Sequence, residues 1–193
     1  MDNDSPFIII SVTGAHSSVG KTTLCAMLLK ELKGFGAIKF TRTPLYTSLI
    51  DDEEVLKQRG KDTAIMYGAG AERVLWIKSP GEDGLEQVLG EALQRMKCLK
   101  GVIVEGNSPV DFLNPHLVIF IIAQDGEVKP SALKVAGRAD VLVYNCGKDA
   151  VHFDLPVPMR EDVRVFSIDL IEKKGEFDEL ISFIKERVAG GSH

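Results

Sequence analysis

Apolar and polar positions alternate along this chain in blocks rather than residue by residue. Phe7–Val12 is a nearly continuous apolar run of strand length. Lys21–Leu32 follows, with Leu24, Met27, Leu28 and Leu32 recurring at helical spacing. Gly34 and Gly36 punctuate the turn into a strand at Ala37–Phe40, and Thr41–Ile50, which carries Pro44 and no periodicity, reads as a loop. Asp51–Gln58 and Asp62–Tyr67 predict short helices separated by Gly60. Val74–Ile77 predicts a strand, Ser79-Pro80-Gly81 a turn, and Leu85–Met96 an amphipathic helix through Leu85, Val88, Leu89, Ala92, Leu93 and Met96. The second half predicts strands at Gly101–Val104, Leu117–Ala123, Val141–Tyr144 and Val163–Ile168, with helices at Ser131–Ala136 and Phe177–Val188.

Strands that are aliphatic throughout belong to sheets covered on both faces, and the helices between them supply right-handed crossovers. The expectation is an α/β fold, one doubly wound, mostly parallel sheet. Residues 1–193 form a single domain that frays from about residue 190. Ligands of such sheets sit beyond the C-terminal ends of the strands.

Composition narrows the function. With 45% hydrophobic and 26% charged residues the chain has the make-up of a globular protein. Its formal net charge of −5 argues against a broad grip on nucleic acid, although a helix N-terminus can still bind phosphate locally. Cys25, Cys98 and Cys146 lie too far apart in sequence for a ligand cluster and read as thiols of a reducing compartment. Phe7–Val12 is too short for a signal peptide and Leu117–Ala123 too short to span a bilayer, so a cytoplasmic protein with no membrane partner is expected.

The chemistry concentrates after the first strand, at Gly14-Ala15-His16-Ser17-Ser18-Val19-Gly20-Lys21-Thr22-Thr23. Against the pattern G-x-x-x-x-G-K-[ST], Gly20, Lys21 and Thr22 match, while Ala15 takes the first glycine position and Gly14 stands one residue early. Backbone amides from Ser17 to Thr23 are expected to cradle a nucleoside triphosphate, Lys21 to bridge its terminal phosphates, and Thr22 to ligate Mg²⁺. Val19 belongs to the same loop, and His16 reads as a solvated loop histidine or a phosphate contact. A P-loop NTPase topology follows from this strand–loop–helix order.

A second acid is needed to hold metal or orient water. Glu105, at the end of the aliphatic strand Gly101–Val104, is the preferred candidate. Asp51 is a weaker metal candidate, because Asp51, Asp52, Glu53 and Glu54 together read as first-turn acids complementing a helix dipole. Asn145 either contacts a purine edge or forms the turn before Gly147. Lysine does not follow it directly, so GTP and ATP both stay open as the nucleotide.

Four pieces in order make the chain resemble the molybdopterin-guanine dinucleotide biosynthesis protein B (MobB) group of P-loop proteins. That group sits in the wider class holding dethiobiotin synthetase and the nickel-delivery GTPases. The pieces are Ala15–Leu24, Ala37-Ile38-Lys39, Gly60-Lys61-Asp62-Thr63 followed by Gly68-Ala69-Gly70-Ala71, and Val102-Ile103-Val104-Glu105-Gly106. The chain departs from the group at Phe40, where histidine is usual, and at Asn107-Ser108, where Phe-Lys is usual. The resemblance implies a dimeric GTP-binding accessory protein of molybdenum-cofactor maturation that assists a nucleotidyl-transferase partner and hydrolyses nucleotide slowly. The alternatives are an ATP-dependent kinase or ligase of the dethiobiotin synthetase type, for which the sequence shows no substrate anchor, and a metal-delivery GTPase.

Overall fold

The computed structural model describes residues 6–124, 126–146 and 159–190. Nine strands form one sheet: β1 (Ile8–Gly14), β2 (Phe35–Arg42), β3 (Ser48–Ile50), β4 (Val74–Ser79), β5 (Gly101–Glu105), β6 (Leu117–Ala123), β7 (Val141–Asn145), β8 (Arg164–Asp169) and β9 (Lys174–Gly175). Among the described residues six helices accompany them: α1 (Lys21–Glu31), α2 (Glu53–Leu56), α3 (Asp62–Gly68), α4 (Leu85–Met96), α5 (Pro130–Ala136) and α6 (Phe177–Gly190). A short 3-10 turn at Ser108–Asp111 follows β5. The strand order is β3-β4-β2-β5-β1-β6-β7-β8-β9, parallel throughout except for the two edge strands β3 and β9. The expected doubly wound, mostly parallel α/β fold is therefore the observed one.

The central strands form because their side chains are aliphatic on both faces and both faces are covered. Ile8, Ile10 and Val12 of β1 join Leu24, Leu28 and Met66 and the α6 residues Leu180 and Ile184 in one apolar cluster. On the opposite face α4 covers β2, β4 and β5 through Leu85, Leu89, Ala92 and Met96. Beside it α5 covers β6 and β7 through Ala132, Val135 and Ala136. Each fully buried leucine in these layers contributes about 1.5–3 kcal/mol.

The loop expected at Thr41–Ile50 is partly strand. β2 runs on to Arg42, and Ser48–Ile50 pairs antiparallel with β4, Leu49 opposite Ile77. Three residues show no periodicity, and what makes them a strand is the otherwise open edge of β4. The helix expected at Asp51–Gln58 shrinks to Glu53–Leu56, because the Asp52 carboxylate accepts from the amides of Glu54 and Val55 and caps it. Among the described residues no helix is long and apolar enough to cross a membrane.

β1 is central, and its neighbours β5 and β6 connect to elements on opposite sides of it. The loop leaving β1 thus emerges where the strand order reverses, the position at which doubly wound sheets hold ligands.

Candidate functional site

The loop from Gly14 to Gly20 is shaped by what surrounds it. At Gly14 a Cβ would lie 2.5 Å from Val19 Cγ1 and 3.1 Å from the Ile121 carbonyl oxygen, so this early glycine has no room for a side chain. Ala15 is fully buried, outside the left-handed region, and its amide donates to the Ile121 carbonyl at 2.8 Å. Nothing in that backbone demands a glycine, which explains why alanine serves at the first position of the pattern. Gly20 is different: its φ is 105°, and a Cβ would meet Leu170 Cδ1 at 2.6 Å and Asn145 Nδ2 at 3.1 Å.

Gly20 caps α1 with no side-chain hydrogen bond, and the first turn of this 11-residue helix carries no acidic residue. Its leading amides are left for an anion. Lys21 folds back over the loop and donates to the His16 carbonyl oxygen at 2.6 Å. Burial pulls the Lys21 ammonium below its ordinary value, with Lys39 adding to that effect and Glu105 opposing it.

Facing the loop is a carboxylate network. Glu105, at the end of β5, is only 2% exposed, and the Thr22 hydroxyl donates to its Oε2 at 2.9 Å. The Lys39 ammonium pairs with Glu105 and reaches Asp62 Oδ2 at 2.7 Å. Burial lowers Lys39, but Glu105 and Asp62 more than reverse it, so its ammonium is held above 10.5. These residues, with Gly20 and Lys21, line a cleft of about 560 Å³. Thr22 and Glu105 present a hydroxyl and a carboxylate side by side. That is a hard-oxygen pair suited to Mg²⁺, which takes few protein ligands and completes its shell with water and phosphate.

The residues expected from sequence divide into groups. Ser17, Ser18, Gly20, Lys21, Thr22, Thr23 and Glu105 line the cleft together. Val19 is buried and packs into the apolar cluster beneath α1. His16, whose Nδ1 lies 2.6 Å from the Ser17 carbonyl oxygen, lines a neighbouring cavity. Asp51 is not brought to the cleft. β3 runs antiparallel to β4 and carries the chain back from the sheet's C-terminal end, and Asp51 pairs there with Arg95 at 2.7 Å.

Asn145 uses its carboxamide internally: Nδ2 donates to the Val19 carbonyl at 3.1 Å and Oδ1 accepts from the Leu170 amide at 3.1 Å. The amide thereby ties the end of β7 to the loop after β1, and its remaining donor and acceptor capacity is what a base could use. Gly147, Lys148 and Asp149 lie outside the described residues. Cys25 and Cys146 are buried and Cys98 is exposed, all three as free thiols.

Sequence reasoning missed Lys39 and Asp62 as site residues. Their signals were present in Ala37-Ile38-Lys39 and Gly60-Lys61-Asp62-Thr63, but a lysine on a strand and an acid in a helix's first turn read as ordinary surface residues alone. The sheet register places Lys39 directly beside Glu105, and this pairing is invisible one-dimensionally. The two departures from the resembled group also acquire roles. Phe40 packs against Gly106, whose Cβ position lies 2.8 Å from Phe40 Cβ. Asn107 clamps Gly14 from both sides, Oδ1 accepting from its amide at 3.0 Å and Nδ2 donating to its carbonyl at 2.9 Å.

No family model and no curated protein sequence matches the chain. Solved structures do. HypB from Helicobacter pylori in complex with nickel is 13% identical over 97% of this chain and 91% of its own, with a TM-score of 0.60. An "apo" form of LpxK from Aquifex aeolicus in complex with ATP is 20% identical over 84% of this chain, with a TM-score of 0.53. This chain covers 54% of the LpxK chain, about half its length. At these identities the likeness is one of fold alone, a mostly parallel α/β sheet.

Proposed function

We propose that the chain, acting as a single nucleotide-binding unit, binds a nucleoside triphosphate with Mg²⁺ at the loop Ala15–Thr23 and hydrolyses it slowly. The observation that carries this reading is the conjunction of an uncapped α1 N-terminus, Lys21 bent over the loop, and Thr22 hydrogen-bonded to a buried Glu105. Mg²⁺ held at Thr22 and Glu105 would neutralise charge on the bound phosphates. The chain's own residues do the rest. The α1 amides and Lys21 orient the phosphates, and Lys39 holds Glu105 and Asp62 in place. Glu105 is engaged by both Thr22 and Lys39, so no carboxylate among these stands ready as a strong general base, which supports slow turnover.

Within that reading we favour a GTP-binding accessory role in molybdenum-cofactor maturation, in the cytoplasm, as a homodimer working with a nucleotidyl-transferase partner. Its support is the four-piece resemblance, two pieces of which supply Lys39 and Asp62 to the cleft. A metal-delivery role has less support, because no cluster of three or more His, Cys, Asp or Glu suited to a metal occurs among the described residues. Titration calorimetry with GTP and with ATP in the presence of Mg²⁺, beside a pull-down with a nucleotidyl-transferase of cofactor synthesis, tests the proposal. Selective GTP binding and nucleotide-dependent capture support it. Selective ATP binding without capture favours the kinase or ligase alternative.

A further inference from the structure

A second cavity of about 460 Å³ adjoins the nucleotide cleft. The two share Ser17, Lys21, Phe40, Arg42 and Gly106, but Thr22, Glu105 and Asp62 line only the first. The floor of the second is Ala15, fully buried in one apolar cluster with Val110, Ala132 and Val135. The methyl that replaces the expected glycine hydrogen is thus part of this cavity's construction.

Its walls are held in place by specific bonds. The Lys129 amide donates to the Ala15 carbonyl at 3.0 Å, tying the segment before α5 to the phosphate loop. Asp111 of the 3-10 turn accepts from Lys134 at 2.9 Å and from Arg138 at 3.1 Å, linking that turn to α5 and the residues just after it. Asn107 completes the frame through its two bonds to Gly14.

The lining is electropositive. With Lys21 left to the nucleotide, Arg42, Lys129 and Lys134 face Glu82 and Asp111, a formal charge of +1 in a chain whose formal net charge is −5. Asp111 is already matched by its two cations. Lys129 and Arg42 have no carboxylate partner among the described residues, and the Arg42 guanidinium makes only a 3.3 Å bond to the Pro80 carbonyl oxygen. Ser108 and Ser131 add hydroxyls to the same lining. A volume in the range of small-molecule sites, an apolar floor and a surplus of positive charge together suit a small anion.

We propose that this cavity binds a second small molecule bearing carboxylate or phosphate groups, next to the triphosphate and on the other side of Lys21. The inference rests on the nucleotide reading of the adjoining cleft. It also supplies the substrate anchor that a kinase or ligase needs and that the sequence did not reveal.

The test uses the full chain saturated with Mg²⁺ and a β,γ-imido nucleotide, so that the phosphate loop is filled before the probe is added. Inorganic phosphate and succinate are then titrated separately while the amide resonances of Ser108, Lys129 and Ser131 are followed by NMR. Saturable shifts at these amides are expected with at least one probe, and which probe acts distinguishes phosphate from carboxylate recognition. Lys129→Glu, an exposed position, should weaken that binding by about tenfold or more and nucleotide affinity by far less. Uptake of the nucleotide with no saturable shift from either probe, or undiminished probe affinity in Lys129→Glu, overturns the second site alone. Failure to take up the nucleotide overturns both readings.

Discussion

Lys39→Met offers a direct measure of how the site is held before nucleotide arrives. The substitution keeps most of the side-chain length and removes the ammonium that pairs with Glu105 and Asp62. Glu105 is 2% exposed and Lys39 14%, so the variant leaves a buried carboxylate with only the Thr22 hydroxyl. Breaking a buried pair in this way costs about 3–5 kcal/mol. Residual solvent contact at Lys39 and the surviving Thr22 bond reduce the expectation to about 2–4 kcal/mol. Glu105→Gln should cost less, about 1–2 kcal/mol, because Lys39 keeps Asp62 and the amide oxygen still accepts from Thr22.

In the double variant the uncompensated charge is gone, so its loss should fall short of the sum by about 1–2 kcal/mol. Urea denaturation of the nucleotide-free proteins reads these differences as shifts in midpoint at constant slope. A thermal scan should show about 2–4 °C per kcal/mol for a chain of this size. Additivity within about 0.5 kcal/mol would refute the argument, because independent sites add and paired charges do not.

Two further outcomes follow from the same geometry and a third from the proposed dimer. Lys39 is held above 10.5 by its two carboxylates, so the stability it contributes is fully present below 10.5 and lost as pH rises through the raised value; denaturation across the alkaline range should show that loss in the wild type and a smaller one in Lys39→Met. In single-turnover hydrolysis at saturating Mg²⁺ and nucleotide, Glu105→Gln, which removes the carboxylate proposed to hold Mg²⁺, should slow the reaction by roughly a hundredfold, whereas Asp51→Asn, paired with Arg95 on exposed surface, should do little; the reverse ranking defeats the assignment. Light scattering should return twice the chain mass of 21.1 kDa if the dimer proposal holds, and the monomer mass at high protein concentration rejects it.

Much of the fold was legible because long aliphatic runs and helical spacing are local properties. β1, α1, α4 and β6 fall where the pattern of apolar residues puts them, since nothing outside those segments competes with their own periodicity. β3 and β9 were not legible: three and two residues carry no period, and only an open sheet edge makes them strands. The loop after β1 stands out in Gly20-Lys21-Thr22 despite Ala15, because the glycine in that pattern with a positive φ is Gly20. The partners of Glu105 could not. Lys39 reaches it through parallel pairing of β2 with β5, and Asp62 through the start of α3, contacts set by register and packing rather than by spacing along the chain. Asp51, the weaker metal candidate, is kept apart from Glu105 for the converse reason. It lies near Asp62 in sequence, but β3 turns it away from the strand ends that border the cleft.

The central claim is that the loop after β1 binds a nucleoside triphosphate. Calorimetric titration of the wild type and of Lys21→Ala with Mg·GTP and Mg·ATP tests it most directly. Lys21 is half-buried at the mouth of the cleft and holds no structural ion pair among the described residues, so the variant should fold normally by circular dichroism. The wild type is expected to bind one nucleotide per chain, and Lys21→Ala to bind it at least about tenfold more weakly, a loss of about 1.4 kcal/mol or more. A folded Lys21→Ala protein with undiminished affinity for whichever nucleotide the wild type binds would contradict the assignment of the loop.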